Sequence, residues 1–166
     1  MKPVRFKLLA GLVFAAVLAP PTMAGQRIES HYFPSPELRL ESRWLVPHVR
    51  AGRDAALNNV MVAESAFTEL RLVIPQAYIG KRVRVTVSLP AFVQGVGGSR
   101  GLELEWRTQG VFQPGKLAMG ERLVLYEGAV AGPLLSDRLA YVVRMDARYA
   151  TGPIRFETLY EIEEMP

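Results

Sequence analysis

From about residue 68 onward, apolar side chains recur at every second position, and that period removes helices from most of the chain. Only a pleated strand sends successive side chains to opposite faces, one toward a core and one toward water. Val83, Val85, Val87 and Leu89 alternate with Arg82, Arg84, Thr86 and Ser88, and β-branched residues suit such a pleat. Leu70, Leu72 and Ile74 form a second inward row, Leu102, Leu104 and Trp106 a third, and Leu123 and Leu125 a fourth. Leu139, Tyr141, Val143 and Met145 make a fifth, and Ile154, Phe156, Thr158, Tyr160 and Ile162 read as one continuous sixth. Pro75, Pro90, Pro114, Pro133 and Pro153 punctuate the gaps, where a residue without an N–H ends a central ladder.

Upstream, residues 37–46 carry Leu38, Leu40 and Trp44 between Pro36 and Pro47 and read as a further strand. Residues 51–68 fit either a short helix near 54–57 or a strand near 59–63. About seven to nine short strands without intervening helical patterns indicate an all-β, antiparallel fold, a β-sandwich of immunoglobulin-like or jelly-roll type. Asp137, four residues before Tyr141, resembles the tyrosine corner of immunoglobulin-like domains, in which the phenol bonds back to the chain upstream. Trp106, 35 residues before that tyrosine, is the candidate core tryptophan.

The first residues have another character. Lys2, Arg5 and Lys7 precede an apolar run over residues 8–19, then Pro20, Pro21 and the small-residue stretch ending at Ala24. That order is a secretory signal, and 12 apolar residues fall short of the roughly 20 that span a bilayer. Residues 1–24 are therefore expected to be cleaved, leaving residues 25–166 as a single periplasmic or secreted domain. Removing the three leader cations from 20 basic residues leaves 17 against 16 acidic ones, so charge makes no case for nucleic acid. The absence of cysteine removes lipoprotein anchoring, disulfides and thiolate metal sites together.

Catalytic chemistry has few side chains to use. The two histidines are His31 and His48, the latter six residues before Asp54, and no serine stands in a Gly-x-Ser-x-Gly elbow. Glu29, His31 and Glu37 could approach one another, whereas Glu157, Glu161 and Glu163 would lie in a line on one strand face and not around a point. Glu103 and Glu105 share a strand face about 7 Å apart, a spacing compatible with an inverting glycosidase pair. Tyr32, Trp44, Tyr126 and Tyr149 are the aromatic candidates for sugar stacking. No enzyme, metal or cofactor is expected from these patterns.

The glycine-rich stretch after Pro90 remains. Phe92, Val93, Gly95, Val96, Gly97, Gly98 and Arg100 form a loop followed by a strand, not by the helix that a phosphate cradle needs. Its apolar residues suit contact with a partner, and loops on a rigid β scaffold carry recognition. The expected function is an exported, non-catalytic module that binds another cell-envelope component. A protein partner is expected, through this loop or an edge strand. The alternatives are a small outer-membrane β-barrel and a glycan-binding or glycan-acting periplasmic protein.

Overall fold

The computed structural model describes residues 25–35, 38–45 and 59–166. The proposed leader, Glu37, His48, Asp54 and the helix reading of 54–57 lie outside the described residues. Of those described, 59% are strand and 5% helical, in several antiparallel sheets, so the chain is all-β. The strands are β1 (Gln26–Ile28), β2 (Ser30–Phe33), β3 (Ser42–Trp44), β4 (Val60–Glu64), β5 (Thr68–Val73), β6 (Arg82–Ser88) and β7 (Gln94–Val96), then β8 (Leu102–Thr108), β9 (Gly115–Ala118), β10 (Arg122–Ala129), β11 (Leu134–Asp146), β12 (Ala150–Arg155) and β13 (Leu159–Glu164).

One sheet runs β1-β13-β6-β10. In a second, β11 is flanked on one edge by β5 and β4 in succession, backed by β2 and β3, and on the other edge by β8 and then β9, and a third is the two-stranded β7–β12 ribbon. Strands β4 and β5 are one interrupted strand: Glu64 lies opposite Val142 and Thr68 opposite Leu139, so three residues on one side face two on the other. The Ser65 hydroxyl fills this bulge by accepting the Tyr141 N–H at 2.8 Å. Taken as one strand, β4/β5 completes a nested series. β1 pairs β13, β4/β5 pairs β11, β6 pairs β10 and β8 pairs β9, each pair lying inside the one before along the chain.

The inward rows of the two larger sheets enter one buried cluster, in which Leu70, Leu72, Val83, Val85 and Ile162 are wholly inaccessible. Trp106 lies in it as expected, its indole N–H donating to the Gln113 carbonyl at 2.8 Å.

Three readings of the sequence need correction. Leu123 and Leu125 both turn inward, Leu123 opposite Val87 and beside Gly115, but the register of β10 on β6 shifts between Val124 and Tyr126, so Tyr126 also falls on the inward face, opposite Val85 and against the core. The sixth row is two strands: it breaks at residues 156–158, and β12 pairs β7 while β13 pairs β6 and β1. Asp137 and Tyr141 do not make a tyrosine corner. The Tyr141 phenol meets the Tyr32 hydroxyl at 3.3 Å, while the Asp137 carboxylate accepts the N–H groups of Phe112 at 2.8 Å and Arg138 at 2.6 Å. Tyr32 also stands 3.3 Å from the Tyr160 hydroxyl, so three phenols and Thr158 form a polar knot between the sheets. Burial holds the Tyr141 and Tyr160 phenols protonated well above the usual range.

Candidate functional site

Nested pairing brings several loops to one end of the molecule. The end of β6 is tied to the β9–β10 turn: the Leu89 N–H donates to the Glu121 carbonyl at 3.1 Å, and the Gly120 N–H to the Leu89 carbonyl at 2.9 Å. The segment after β6 meets the β11–β13 connection through the β7–β12 ribbon and through the Gly97 N–H, which donates to Tyr149 O at 2.7 Å. The chain returns into β8 where the Asp146 N–H donates to Gly101 O at 2.8 Å.

The candidate loop residues divide between scaffold and surface. Val93 belongs to the core at 6% exposure, whereas its neighbour Phe92 is 86% exposed. Gly95 has φ +84°, and a methyl there would sit 2.4 Å from the Pro153 carbonyl oxygen, so the ribbon requires glycine. Val96 is half-buried against the core and Gly97 is bonded to Tyr149, so both are structural. Gly98 and Arg100 are exposed, and Arg100 stands at a recess of about 500 Å³ lined also by Leu45, Val60, Leu102 and Met145. Its polar lining includes Ser99, Asp146 and the pair Glu103 and Arg144, which lie 3.3 Å apart.

The carboxylates considered for catalysis are held by counterions. Arg144 lies 2.6 Å from Glu105, and Lys116 lies 2.6 Å from Glu103. Its hydrogen bond to Arg144 holds the Glu105 carboxyl below the usual range, the opposite of what a general acid needs. Asp146 is lowered likewise by its bond to Arg148, and Glu69 by its bond to Arg71. Groups whose folded pKa is depressed stabilise the fold above their unfolded pKa and lose that contribution as pH falls through the folded value. The melting temperature is therefore expected to stay level down to the ordinary glutamate value of 4.5 and to decline below it, measured by circular dichroism across an acid series.

Glu157 lies 3.6 Å from Arg27, Glu163 lies 3.1 Å from Arg84, and Glu161 pairs with Arg122, so these acids make a solvated, compensated face. His31 and Glu29 approach to 3.9 Å with both side chains exposed. Among the described residues no group of three or more His, Asp or Glu could hold a metal ion. Of the aromatic candidates, Tyr32 is committed to the phenol knot, and the Tyr126 hydroxyl donates to Ala129 O at 2.8 Å. Tyr149 covers Gly101, where a Cβ would come within 2.8 Å of the ring, while Trp44 is partly exposed on β3. The phenol knot and the Asp137 clamp escaped the sequence reading; each joins residues far apart in the chain, and no local motif announces them.

No family model, curated protein or solved structure matches the chain.

Proposed function

We propose that the chain is an exported, non-catalytic jelly-roll sandwich that recognises a protein of the cell envelope through the loop carrying Phe92. The nested pairing supports the fold reading. A long hairpin wound on itself pairs its first strand with its last, its second with the seventh, its third with the sixth and its fourth with the fifth, and eight strands here, β1, β4/β5, β6, β8, β9, β10, β11 and β13, pair in that order, while β2, β3 and the β7–β12 ribbon lie outside the series. The immunoglobulin-like alternative loses its local support with the tyrosine corner. The leader pattern of residues 1–24 supports export to the periplasm or medium. Ion pairs on the outward faces, such as Arg84 with Glu127 and Glu163, weigh against a lipid-embedded barrel, because hydrocarbon does not solvate them.

The observation that carries the function reading is the exposure of Phe92 on an anchored backbone. Ala91 on one side lies against Gly120, and Val93 on the other is in the core, so a large apolar side chain is presented to water from a backbone fixed on both sides. Aromatic anchors of this kind dominate protein interfaces. Affinity capture from an envelope extract is expected to retain one stoichiometric protein. Phe92→Ser is expected to weaken that capture about 30-fold, the scale of a 2 kcal/mol anchor, with the melting temperature unchanged. Val93→Ser is expected instead to destabilise the fold by about 1–3 kcal/mol by placing a hydroxyl in the core. Capture that survives Phe92→Ser at full strength refutes the loop as the binding surface.

A further inference from the structure

The outward face of the β11 sheet has two halves that differ in charge balance. Toward the loop end, Arg43 pairs with Glu64, Lys116 with Glu103, and Arg144 with Glu103 and Glu105, so three cations meet three anions. Toward the other end the face carries Arg71, Arg107 and Arg138, with His31 opposite Arg71, against Glu69 and against Glu29, which lies 3.9 Å from His31. Glu69 bonds Arg71 at 2.9 Å and lies opposite Arg138 in the register, yet neither Arg107 nor Arg138 has an ion-pair partner within 4.0 Å among the described residues. Arg107 lies opposite Ala140 on β11, two residues from Arg138, so strand register places the two exposed arginines on one face as diagonal neighbours, about 7–8 Å apart. Arg71 is diagonal to Arg138 on the other side and lies over the Phe33 ring, 4.7 Å from its centroid. Phe33 and Leu134, both more than half exposed, flank the arginines on this face, and the exposed Val111 follows Gln109, whose N–H is bonded to the Arg138 carbonyl.

We propose that this half of the face docks on an anionic lipid surface, with Arg107 and Arg138 taking headgroup phosphates and Phe33 and Leu134 resting at the level of the acyl boundary. The guanidinium fork matches phosphate oxygens bidentately, and two forks on one rigid sheet meet neighbouring headgroups without rearrangement. The face is open and flat, so a lone soluble anion would stay largely hydrated on it, whereas a lipid layer adds an apolar depth for the flanking side chains. The placement is independent of the loop reading: β11 runs from this face at Leu134 to the loop end at Asp146, about 40 Å away by strand rise. One end would rest on lipid while the other presents Phe92.

The test is flotation of the purified protein with vesicles of phosphatidylglycerol and phosphatidylcholine, beside vesicles of phosphatidylcholine alone and a competition with inorganic pyrophosphate. Binding is expected to the anionic vesicles only and to vanish near 1 M salt, where the screening length is about 3 Å. Arg107→Gln with Arg138→Gln is expected to weaken it about 30-fold, about fivefold for each charge. Both side chains are exposed, so the fold is retained, and a melting curve verifies that. Arg82→Gln with Arg155→Gln removes the same charge elsewhere and is expected to leave binding unchanged. Equal loss in that control pair, no loss in the Arg107 and Arg138 pair, or binding of pyrophosphate without vesicle association would each overturn the proposal.

Discussion

Trp106→Ala is expected to lower the free energy of unfolding by about 3–5 kcal/mol, the range for truncating a large buried aromatic. The indole is 2% exposed within the shared core, on β8 between β11 and β9. Its removal takes away more than apolar contact. A Cβ on Gly115 would sit 2.6 Å from the indole ring and 2.4 Å from Leu123, so this wall is filled by Trp106 and Leu123 against a bare backbone. The Gln113 carbonyl, which accepts the indole N–H, would also lose its partner. Trp106→Phe fills most of the volume but cannot donate to that carbonyl, and is expected to recover more than half of the loss. Urea unfolding followed by circular dichroism separates the outcomes. A cost below about 1 kcal/mol for alanine would mean that the wall collapses to fill the space.

The rows that hold this core were legible where burial is one-sided. Val83, Val85 and Val87, or Leu102, Leu104 and Trp106, each face a core on one side and charged residues on the other, so composition alone fixes their phase. It fails where the chain keeps its phase but changes its partner. Phe156, Thr158 and Tyr160 continue the alternation through a break between β12 and β13, and period two cannot register a change of neighbour. It fails also at bulges, where one added residue turns Tyr126, outward by period two, onto the inward face opposite Val85. The nested order of the strands rests on contacts such as β1 with β13, for which no short motif exists. The candidate loop was half legible for the same reason: Phe92 and Val93 are adjacent apolar residues in the sequence, and only the fold separates a core residue from a presented one.

Asp137→Ala is expected to cost about 3 kcal/mol, out of proportion to the few atoms removed. The carboxylate is buried on β11 and accepts the Phe112 N–H at 2.8 Å, which pins the turn joining β8 to β9. Bonds to a charged acceptor contribute about 1.5–3 kcal/mol, and alanine would leave the buried Phe112 N–H without a partner besides. The same turn is held by the Thr108 hydroxyl donating to Phe112 O at 2.9 Å and by Trp106 donating to Gln113 O at 2.8 Å. Gly110 packs so closely that a Cβ would lie 2.7 Å from the Asp137 carboxylate. Asp137→Asn keeps one acceptor for Phe112 but turns an amide donor toward the Arg138 N–H, so an intermediate loss is expected. Hydrogen exchange at the Phe112 amide should accelerate in both variants, and most in the alanine one. Because Trp106 and Asp137 hold one turn at the innermost pair of the nested hairpin, the double alanine variant is expected to cost less than the two losses added, with a coupling of about 0.5–3 kcal/mol. Strict additivity would mean that the two clamps act on separate structures, and that the turn is not the shared element.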